Sequence, residues 1–413
     1  MNNNQHTPSG YKPSPLGIIP EDWEVKRLGE IFTFKNGVNA GKDSYGEGVR
    51  FVNTMDVLNN EYITGKILRG RVAINEKTKN EFLVSFGDVL FNRTSETREE
   101  VGYSTVYLDN EDAVFGGFVI RAHDIDANIL NPRFKQYCFQ PSYIRNQISA
   151  LGNGAIRYNL GQEDLSKVNL LIPTKVEQEA IVSVISLWDT AIEKQTALIE
   201  QLTLRKRGLM QQLLTGKKRL KGFEGEGEWK RIKAGEIFKS ISVKGNGSEV
   251  LLSATQEHGV IPRDQLEGRV TMPTGDTNSF KLVEVGDFVI SLRSFQGGLE
   301  YSEHRGIVSP AYTVLKPIVE IDKSFYRYYF KSAEFIGHLA IAVIGIRDGK
   351  QISYEDFCFV KIPYPNIEEQ KAISTVLLQS DKEIEIQKQK LAAMQEQKKG
   401  LMQVLLTGKK RIN

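Results

Sequence analysis

The sequence predicts a mixed α+β chain in which two α/β domains alternate with two long helices, as a tandem repeat with pseudo-twofold logic. Three observations predict this: a tail that occurs twice, two long stretches with the apolar spacing of helices, and landmarks shared by otherwise unlike segments. Residues 208–220 read GLMQQLLTGKKRL and residues 400–412 read GLMQVLLTGKKRI, identical at 11 of 13 positions. The similarity extends well before each tail, so the same order of segments occurs twice in the chain.

The long helices are predicted from the segments that start at Glu177 and Glu369. Apolar residues recur in each at spacings of three, four, seven or eight, as on one face of an amphipathic helix. Gly216 and Gly408 follow where a C-terminal cap belongs. A helix of about 38 residues would be roughly 57 Å long. Because a single apolar stripe needs a partner, we expect each helix to pack on its copy.

The segments between the helices are predicted to be α/β domains. WEVKRLGEIF at 23–32 is similar to WKRIKAGEIF at 229–238, and GDVLFNR and GDFVISL have the pattern of strands that follow Gly-Asp turns. The Tyr/Phe-rich segments 132–148 and 323–339 are predicted to be helical. The predicted boundaries are a leader at 1–22, a first domain at 23–173, a central long helix at 174–216, a second domain at 217–363 and a C-terminal long helix at 364–413.

Composition bounds the class of protein. The chain has 413 residues, 40% hydrophobic residues and a net charge of +3, which suits two or three globular domains and does not by itself indicate nucleic acid. No apolar run has the length of a membrane span, and the polar start MNNNQHTPSGYKPSP is predicted to be a flexible leader. We expect Cys138 and Cys358 to be free buried thiols in a reducing cytoplasm.

Two motifs mimic a catalytic site. NPRF at 131–134 is one residue short of the Asn-Pro-Pro-Phe loop of adenine methyltransferases, and FGG at 115–117 resembles a cofactor-binding glycine run. The repeat places DKSF at 322–325 opposite NPRF, which favours Asn and Asp as helix N-caps. No phosphate-binding loop or nucleophile elbow occurs, so the sequence offers no catalytic centre.

The landmarks together resemble the specificity subunit of Type I restriction–modification enzymes. W-x(4–5)-GEIF introduces each unlike domain, and an IP…EQ…GLM-Q-LLTGKKR segment closes it, from about residue 17 to residue 411. The resemblance implies that each domain is a target recognition domain reading one half of a bipartite DNA sequence. It also implies that the helices pack antiparallel as a coiled coil, set the spacer between the halves and dock methyltransferase subunits.

The resemblance further implies the partners and cofactors. Double-stranded DNA and two methyltransferase (modification) subunits are the expected partners, whereas the sequence leaves open whether two motor–nuclease (restriction) subunits join. We expect no cofactor on this chain, since S-adenosylmethionine, ATP and Mg²⁺ are implied only for partner subunits, and no membrane partner.

Candidate contacts follow from side-chain chemistry at equivalent landmarks. Arginine reads guanine, Asn and Gln read adenine, and glycine-rich loops allow close approach to phosphate. The predicted DNA-binding residues are Asn92, Arg93, Thr94, Arg98, Asn153, Arg157, Tyr158, Asn159, Arg293, Ser294, Gln296, Arg347, Lys350 and Gln351. The predicted partner-docking residues are Leu209, Met210, Leu213, Leu401, Met402 and Leu405.

Two other classes of protein remain as alternatives. A self-contained DNA methyltransferase or nuclease would need catalytic motifs that we do not find, and activity of the purified chain with S-adenosylmethionine would support it. A coiled-coil structural adaptor would explain the helices but not two elaborate, divergent domains. Specific retention of one DNA sequence by the purified complex would distinguish a reader from an adaptor.

Overall fold

The structure, a computed structural model, describes residues 7–154, 156–266, 277–291, 294–342 and 352–412. The chain divides into two compact units, Met1–Lys194 with Leu391–Asn413, and Gln195–Lys390. We call them unit 1 and unit 2. Each unit contains one α/β domain, the start of one long helix and the end of the other.

Unit 1 contains most of its strands before residue 125. They are β1 (Tyr11–Ser14), β2 (Gly17–Pro20), β3 (Glu24–Arg27), β4 (Phe32–Asn36), β5 (Tyr45–Val52), β6 (Tyr62–Ile63), β7 (Arg71–Val72), β8 (Val89–Asn92), β9 (Thr94–Ser95), β10 (Ser104–Tyr107), β11 (Ala113–Phe115), β12 (Val119–Asp124), β13 (Tyr158–Asn159) and β14 (Asn169–Ile172). The helices are α1 (Leu28–Ile31), α2 (Thr54–Asn59), α3 (Glu76–Glu81), α4 (Lys135–Cys138), α5 (Ser142–Leu151), α6 (Gln162–Ser166) and the first part of α7 (Lys175–Leu213).

A five-stranded sheet in the order β4-β12-β8-β10-β6 is the centre of unit 1. The predicted Gly-Asp turn starts its middle strand: Gly87 has a φ of +88°, and the Asp88 carboxylate accepts the Ser85 backbone N–H at 2.8 Å. A second sheet has the order β11-β5-β7. The predicted helical segment 132–148 forms α4 and α5, which pack on the core.

Within its described residues, unit 2 repeats this plan with fewer strands. They are β15 (Lys230–Lys233), β16 (Phe238–Ile241), β17 (Leu252–Thr255), β18 (Gly259–Pro262), β19 (Lys281–Val283), β20 (Phe288–Ile290), β21 (Glu300–Tyr301), β22 (Gly306–Val308), β23 (Thr313–Pro317) and β24 (Lys361–Tyr364). The helices are α8 (Ala234–Ile237), α9 (Ser294–Gly297), α10 (Lys323–Tyr329), α11 (Ala333–Ala342), α12 (Tyr354–Phe359) and α13 (Ile367–Leu405), which ends in unit 1. The sheet order β16-β23-β20-β21 matches β4-β12-β8-β10 of unit 1.

The two long helices have 39 residues each, close to the predicted length. Both end as predicted, because Gly216 and Gly408 adopt φ values of +72° and +69° and close the C-terminal turn. Within unit 1, Asp189 of α7 contacts Lys398 of α13, and within unit 2, Lys206 contacts Asp381. A second pair in each unit gives the direction: Glu177 pairs with Arg411 in unit 1, and Gln195 pairs with Gln387 in unit 2. In each unit the numbers rise along one helix as they fall along the other, so the pairing is antiparallel.

The leader is more ordered than its composition suggested. Within the predicted leader 1–22, β1 and β2 form an antiparallel hairpin that buries Ile19, and the Tyr11 hydroxyl donates to the Gly408 carbonyl at 3.0 Å. The flexible-leader prediction is therefore wrong for these residues. The polar composition of the segment does not reveal this order, because the hairpin is held by Gly408, which lies 397 residues from Tyr11 in the chain.

Each copy of the repeated tail packs against an α/β domain of the same chain. The Trp23 indole and the Arg411 guanidinium both donate to the buried Glu177 carboxylate, at 2.7 Å each. In unit 2, Trp229 and Arg219 make the same contacts with Glu369. Each tail therefore closes the domain of the other repeat, and this gives the tail a reason to occur twice.

The same geometry changes the role of the predicted docking residues. Leu213 belongs to the core of unit 2, and Met402 and Leu405 belong to the core of unit 1. Their side chains are buried against the domains, so in this conformation they are core residues and not a docking surface. Leu209, Met210 and Leu401 are partly buried against the same two cores.

A second, equally repeated contact ties each domain to both helices. The Tyr137 hydroxyl donates to Asp189 at 2.5 Å, and Lys398 pairs with the same carboxylate. In unit 2, Tyr328 donates to Asp381 at 2.6 Å, and Lys206 pairs with it. In the part of the chain that the structure describes, no helix is long and apolar enough to cross a membrane.

Candidate nucleic-acid interface

Both predicted clusters of the first domain come together at one edge of unit 1. Strand β9 pairs antiparallel with β13, and the Thr94 hydroxyl donates to the Asn159 side-chain oxygen at 2.8 Å. The Arg93 carbonyl accepts the Leu160 N–H at 2.9 Å. The glycine-rich loop after α5 is thereby fixed beside the end of β8. We call Arg93, Thr94, Arg98, Asn153, Arg157 and Asn159 the polar edge.

Asn92 was predicted to contact DNA, but the structure buries it completely, with 0% of its surface exposed. Its side-chain oxygen accepts the Thr94 N–H at 3.3 Å, and its amide reaches the Glu100 carbonyl at 3.4 Å. The side chain shapes the turn that follows β8 and has no surface for a base. The DNA-contact prediction for Asn92 is therefore corrected.

Arg93 is half-buried and lies against the turn that precedes β12. Its backbone N–H donates to the Phe118 carbonyl at 2.9 Å, and its guanidinium donates to the Gly117 carbonyl at 3.2 Å. A guanidinium carries five N–H donors, so one bond to Gly117 leaves others for a base. This anchoring restricts the side chain before any ligand arrives.

Arg98 has a partly structural role. Its Nε donates to the Ser149 carbonyl at 3.0 Å and one Nη to the Ala150 carbonyl at 3.3 Å, which satisfies the C-terminal end of α5. The remaining N–H groups are the ones that could meet phosphate. The neighbouring loop is held by Arg145, which donates to the carbonyls of Glu99, Val101 and Gly102. Burial lowers the pKa of Arg145 to about 10.

The rest of the polar edge is open to solvent. Asn153, Arg157 and Asn159 are exposed, and Tyr158 between them is half-buried against the core. Asn153 and Asn159 exchange two backbone hydrogen bonds, at 2.8 and 3.0 Å, which close the loop. Exposed amides and guanidinium groups on this loop suit base edges and phosphate oxygens. The Tyr158 side chain packs against the core of unit 1 and so anchors this loop.

The FGG segment at 115–117, which mimics a cofactor-binding glycine run, borders the polar edge. A Cβ on Gly117 would lie 1.9 Å from the Asn39 side-chain oxygen, and one on Gly37 would lie 2.3 Å from the carbonyl oxygens of residues 115 and 116. Glycine allows these backbones to approach closely. Sequence reasoning missed the exposed Asn39 and Phe118 that this turn brings to the edge. The double glycine was the available signal.

The equivalent edge of unit 2 is described in part. Ser294 was predicted to contact DNA, but it is buried, and its hydroxyl accepts the Ser291 N–H at 2.8 Å. That prediction is corrected, because the hydroxyl closes the turn after β20. Gln296 lies in α9, but its side chain is outside the described residues. Arg293, Arg347, Lys350 and Gln351 also lie outside the described residues.

An ion pair with a buried carboxylate fixes the loop that follows this turn in unit 2. Lys331 donates to both carboxylate oxygens of Glu300 at 2.7 Å and to the Gly297 carbonyl at 2.9 Å. Burial raises the pKa of Glu300, which Lys331 partly offsets. Lys331 thus holds in unit 2 the loop that Arg145 holds in unit 1.

The methyltransferase-like motif NPRF has a structural role. The Asn131 side chain accepts the Arg133 N–H at 2.8 Å, and its backbone N–H donates to Gln178 at 2.8 Å. In unit 2, Asp322 accepts the Phe325 N–H at 2.7 Å and donates its own N–H to Gln370. The capping interpretation is confirmed for Asp322, the N-cap of α10, whereas Asn131 forms a turn before α4, whose N-cap is Phe134. Within the described ranges, no three His, Cys, Asp or Glu side chains are grouped to hold a metal.

Comparison with known proteins decides the family. Residues 20–204 and 226–396 match the model of the Type I restriction modification DNA specificity domain. The chain belongs to this family. Two copies of the domain cover both units, so the tandem repeat predicted from the sequence is a pair of specificity domains. The family's task is DNA sequence recognition, and a specificity subunit of this kind is not itself an enzyme.

Relatives agree over nearly the whole chain. The type I restriction enzyme MjaVIII specificity subunit of Methanocaldococcus jannaschii is 26% identical over 95% of this chain and 94% of its own. The type I restriction–modification S subunit of M. genitalium has the same fold, with a TM-score of 0.50, 18% identity and coverage of 93% and 96% of the two chains. A chain from a structural study of type I complex assembly and conformational transition has a TM-score of 0.60, 18% identity and coverage of 94% and 99%.

Proposed function

We propose that the polar edge of unit 1 is the surface with which the first recognition domain reads its half of a bipartite target, and that the corresponding edge after β20 reads the other half. The observation that carries the proposal is the hydrogen bond between Thr94 and Asn159, 65 residues apart in sequence. It joins two loops rich in forked donors and amides where β9 pairs with β13. Sites held on such scaffolds position base contacts accurately.

We propose in addition that the helices dock two methyltransferase subunits, and that two motor–nuclease subunits join where the system also restricts DNA. Leu187 and Leu204 of α7 are 68% and 63% exposed. Apolar side chains exposed along a helix favour a protein partner. These residues replace the buried Leu213, Met402 and Leu405 in the docking proposal.

The partners' chemistry determines the cofactors that we propose for the complex. S-adenosylmethionine, ATP and Mg²⁺ are assigned to the partner subunits, and the complex acts in the cytoplasm, where its DNA substrate lies. Calorimetric titration of S-adenosylmethionine into the purified chain tests this. The expected result is no binding until methyltransferase is added, and saturable binding to the chain alone would overturn the assignment.

The reading role is tested by mapping methylated sites in a host that expresses the chain with its methyltransferase. Replacing Arg93 by Ala should relax one position of one half-target. A bidentate guanine contact contributes about 1–3 kcal/mol of discrimination. Equal loss of binding to all sequences would mark Arg93 as a phosphate contact, and an unchanged target would remove it from the interface.

Asn92 supplies a matched control, since it is adjacent to Arg93 but buried. Replacing Asn92 by Ser should lower the melting temperature and leave the recognised bases unchanged. If the Asn92 variant changed the recognised sequence as much as the Arg93 variant, the assignment of direct contacts to the exposed side chains would fail.

A further inference from the structure

An exposed aromatic side chain adjoins the polar edge. Phe118 follows the Gly116–Gly117 turn and leads into β12, with 61% of its surface exposed. Its carbonyl accepts the Arg93 N–H at 2.9 Å, and the Arg93 guanidinium donates to the next carbonyl, that of Gly117, at 3.2 Å. Phe118 is therefore the cross-strand neighbour of Arg93, the residue that we assign to base recognition.

The strand register identifies the equivalent position in unit 2. Phe91 of β8 pairs with Ile120 of β12, and Ile290 of β20 pairs with Thr313 of β23. These are equivalent pairs, because Phe91 and Ile290 each lie four residues after the glycine of the Gly-Asp turn. Two residues before Thr313 is Ala311, as Phe118 is two residues before Ile120.

Ala311 is also exposed. The same place in two matching sheets thus carries a phenyl ring in one domain and a single methyl group in the other. The strand pairing around the two positions is the same, whereas the side chain presented there differs. Two readers of different half-targets require such differences at equivalent exposed positions.

We infer that Phe118 is a specificity-determining residue of the first domain, and that its ring contacts the 5-methyl group of a thymine next to the base read by Arg93. The inference rests on the proposed role of the polar edge. Thymine is distinguished from the other bases in the major groove by this methyl group, and an apolar side chain is the complementary partner. Removing both the ring and the methyl group from water favours the contact.

The test uses the full chain in complex with its methyltransferase and DNA duplexes of the target found by methylation mapping. Each thymine of both half-targets is replaced in turn by deoxyuridine, which removes only the methyl group. For the wild type, one replacement should weaken binding about three- to fivefold, the factor expected for burial of one methyl group. Phe118→Ala should bind the thymine and deoxyuridine duplexes equally, and Phe118→Leu should retain part of the preference.

Ile125 provides the matched control, because it is 56% exposed and follows the other end of β12. Ile125→Ala should keep the full preference for thymine. Unchanged affinity of Phe118→Ala for a non-target duplex, measured in parallel, verifies that the variant is folded.

Three results would overturn the inference: a target without thymine, a wild type indifferent to every deoxyuridine, or a Phe118→Ala variant that keeps the preference. The Arg93→Ala variant separates this failure from failure of the polar edge. If Arg93→Ala changes the recognised bases while Phe118→Ala keeps the thymine preference, the edge reads DNA and Phe118 does not. If neither variant changes recognition, the edge itself is wrongly assigned.

Discussion

The Arg411 guanidinium donates to the Glu177 carboxylate at 2.7 Å and so joins the end of the second repeat to the start of the first long helix. Two further bonds link Arg411 to Asp22, at 2.8 and 3.0 Å, and hold the pKa of that carboxyl below its usual range. Arg219 and Glu369 form the same pair in unit 2. The last residues of each repeat therefore stabilise the domain of the other.

Replacing Arg411 by Ala should destabilise unit 1 selectively. Glu177 would stay buried with the Trp23 indole as its remaining partner from the cluster, and an unpaired buried charge is costly. We expect a loss of about 2 kcal/mol, less than for a fully buried pair because a third of the Arg411 side chain is exposed. Hydrogen exchange should show faster exchange in residues 23–172 than in the wild type and no change in 230–263.

Arg219→Ala should give the reverse pattern, with the loss confined to unit 2. Lys410→Ala is the control, since its exposed side chain lies beside Arg411. Equal loss in both units from either arginine variant would show that the tails do not close separate domains.

The Tyr137 hydroxyl contributes a second, smaller attachment. Tyr137→Phe removes its hydrogen bond to Asp189 and retains the ring that packs in the core of unit 1. A hydrogen bond to a charged group contributes roughly 1.5–3 kcal/mol, and Lys398 still pairs with Asp189, so we expect a loss of about 1.5 kcal/mol. Chemical denaturation measures it, and Tyr328→Phe should cost a similar amount. A neutral effect in both variants would exclude a stabilising role for the hydroxyls.

The repeat and the helices were predictable because their signals are local in sequence. Apolar spacing and the Gly216 and Gly408 caps are visible within one segment, and the strands at 89–92 and 288–290 follow their Gly-Asp turns as predicted. Side-chain exposure was less predictable. Asn92 and Ser294 have the chemistry of base contacts, yet Asn92 ends β8 and Ser294 begins α9, and the polar group of each closes the turn after its strand.

The role of the tail could not be predicted from its composition. Leu213 and Leu405 have the spacing of a docking stripe, and a stripe does not reveal whether another chain or a distant part of the same chain covers it. Leu213 is covered by the core of unit 2 and Leu405 by the core of unit 1, and other members of these cores lie up to several hundred residues away in the chain. Phe118 was missed for a related reason: its neighbour Arg93 is adjacent only after β8 and β12 pair.

A chimaera with an exchanged domain should be more stable when the tail that packs on that domain is exchanged with it. Replacing residues 23–172 by the equivalent domain of a relative should change one half of the target, but Met402, Leu405 and Arg411 would then face a foreign surface. Exchanging residues 400–412 together with the domain should give a more stable chimaera with the same new half-target, judged by melting temperature and methylation mapping. Changes in both half-targets would contradict modular reading.

The exposed apolar side chains of α7 predict where assembly can be disrupted. Leu187→Lys should reduce recovery of methyltransferase with the chain by at least tenfold, because burial of a lysine in an apolar contact leaves its charge unpaired. Its counterpart at an offset of 192 is the exposed Gln379, and Gln379→Lys is the matched control. Full recovery with Leu187→Lys, and unchanged melting of the variant chain, would place the docking surface elsewhere.

The pairing of Gln195 with Gln387 allows the spacer hypothesis to be tested at a defined point. The Gln195 amide donates to the Gln387 side chain at 2.9 Å and to its carbonyl at 3.1 Å, so these residues lie side by side on the two helices. Inserting seven residues after both keeps the apolar stripe of each helix in register. The pairs on either side, such as Asp189 with Lys398, then remain intact.

The double insertion should lengthen the helices by about 10 Å, which corresponds to roughly three base pairs. Methylation mapping should therefore find both half-targets unchanged and the unread spacer between them about three base pairs longer. Insertion into one helix alone shifts one stripe against the other and should abolish methylation, because the pairs beyond the insertion lose their partners. A double-insertion variant that still methylates DNA with the original spacer would refute the ruler and leave the helices a docking role.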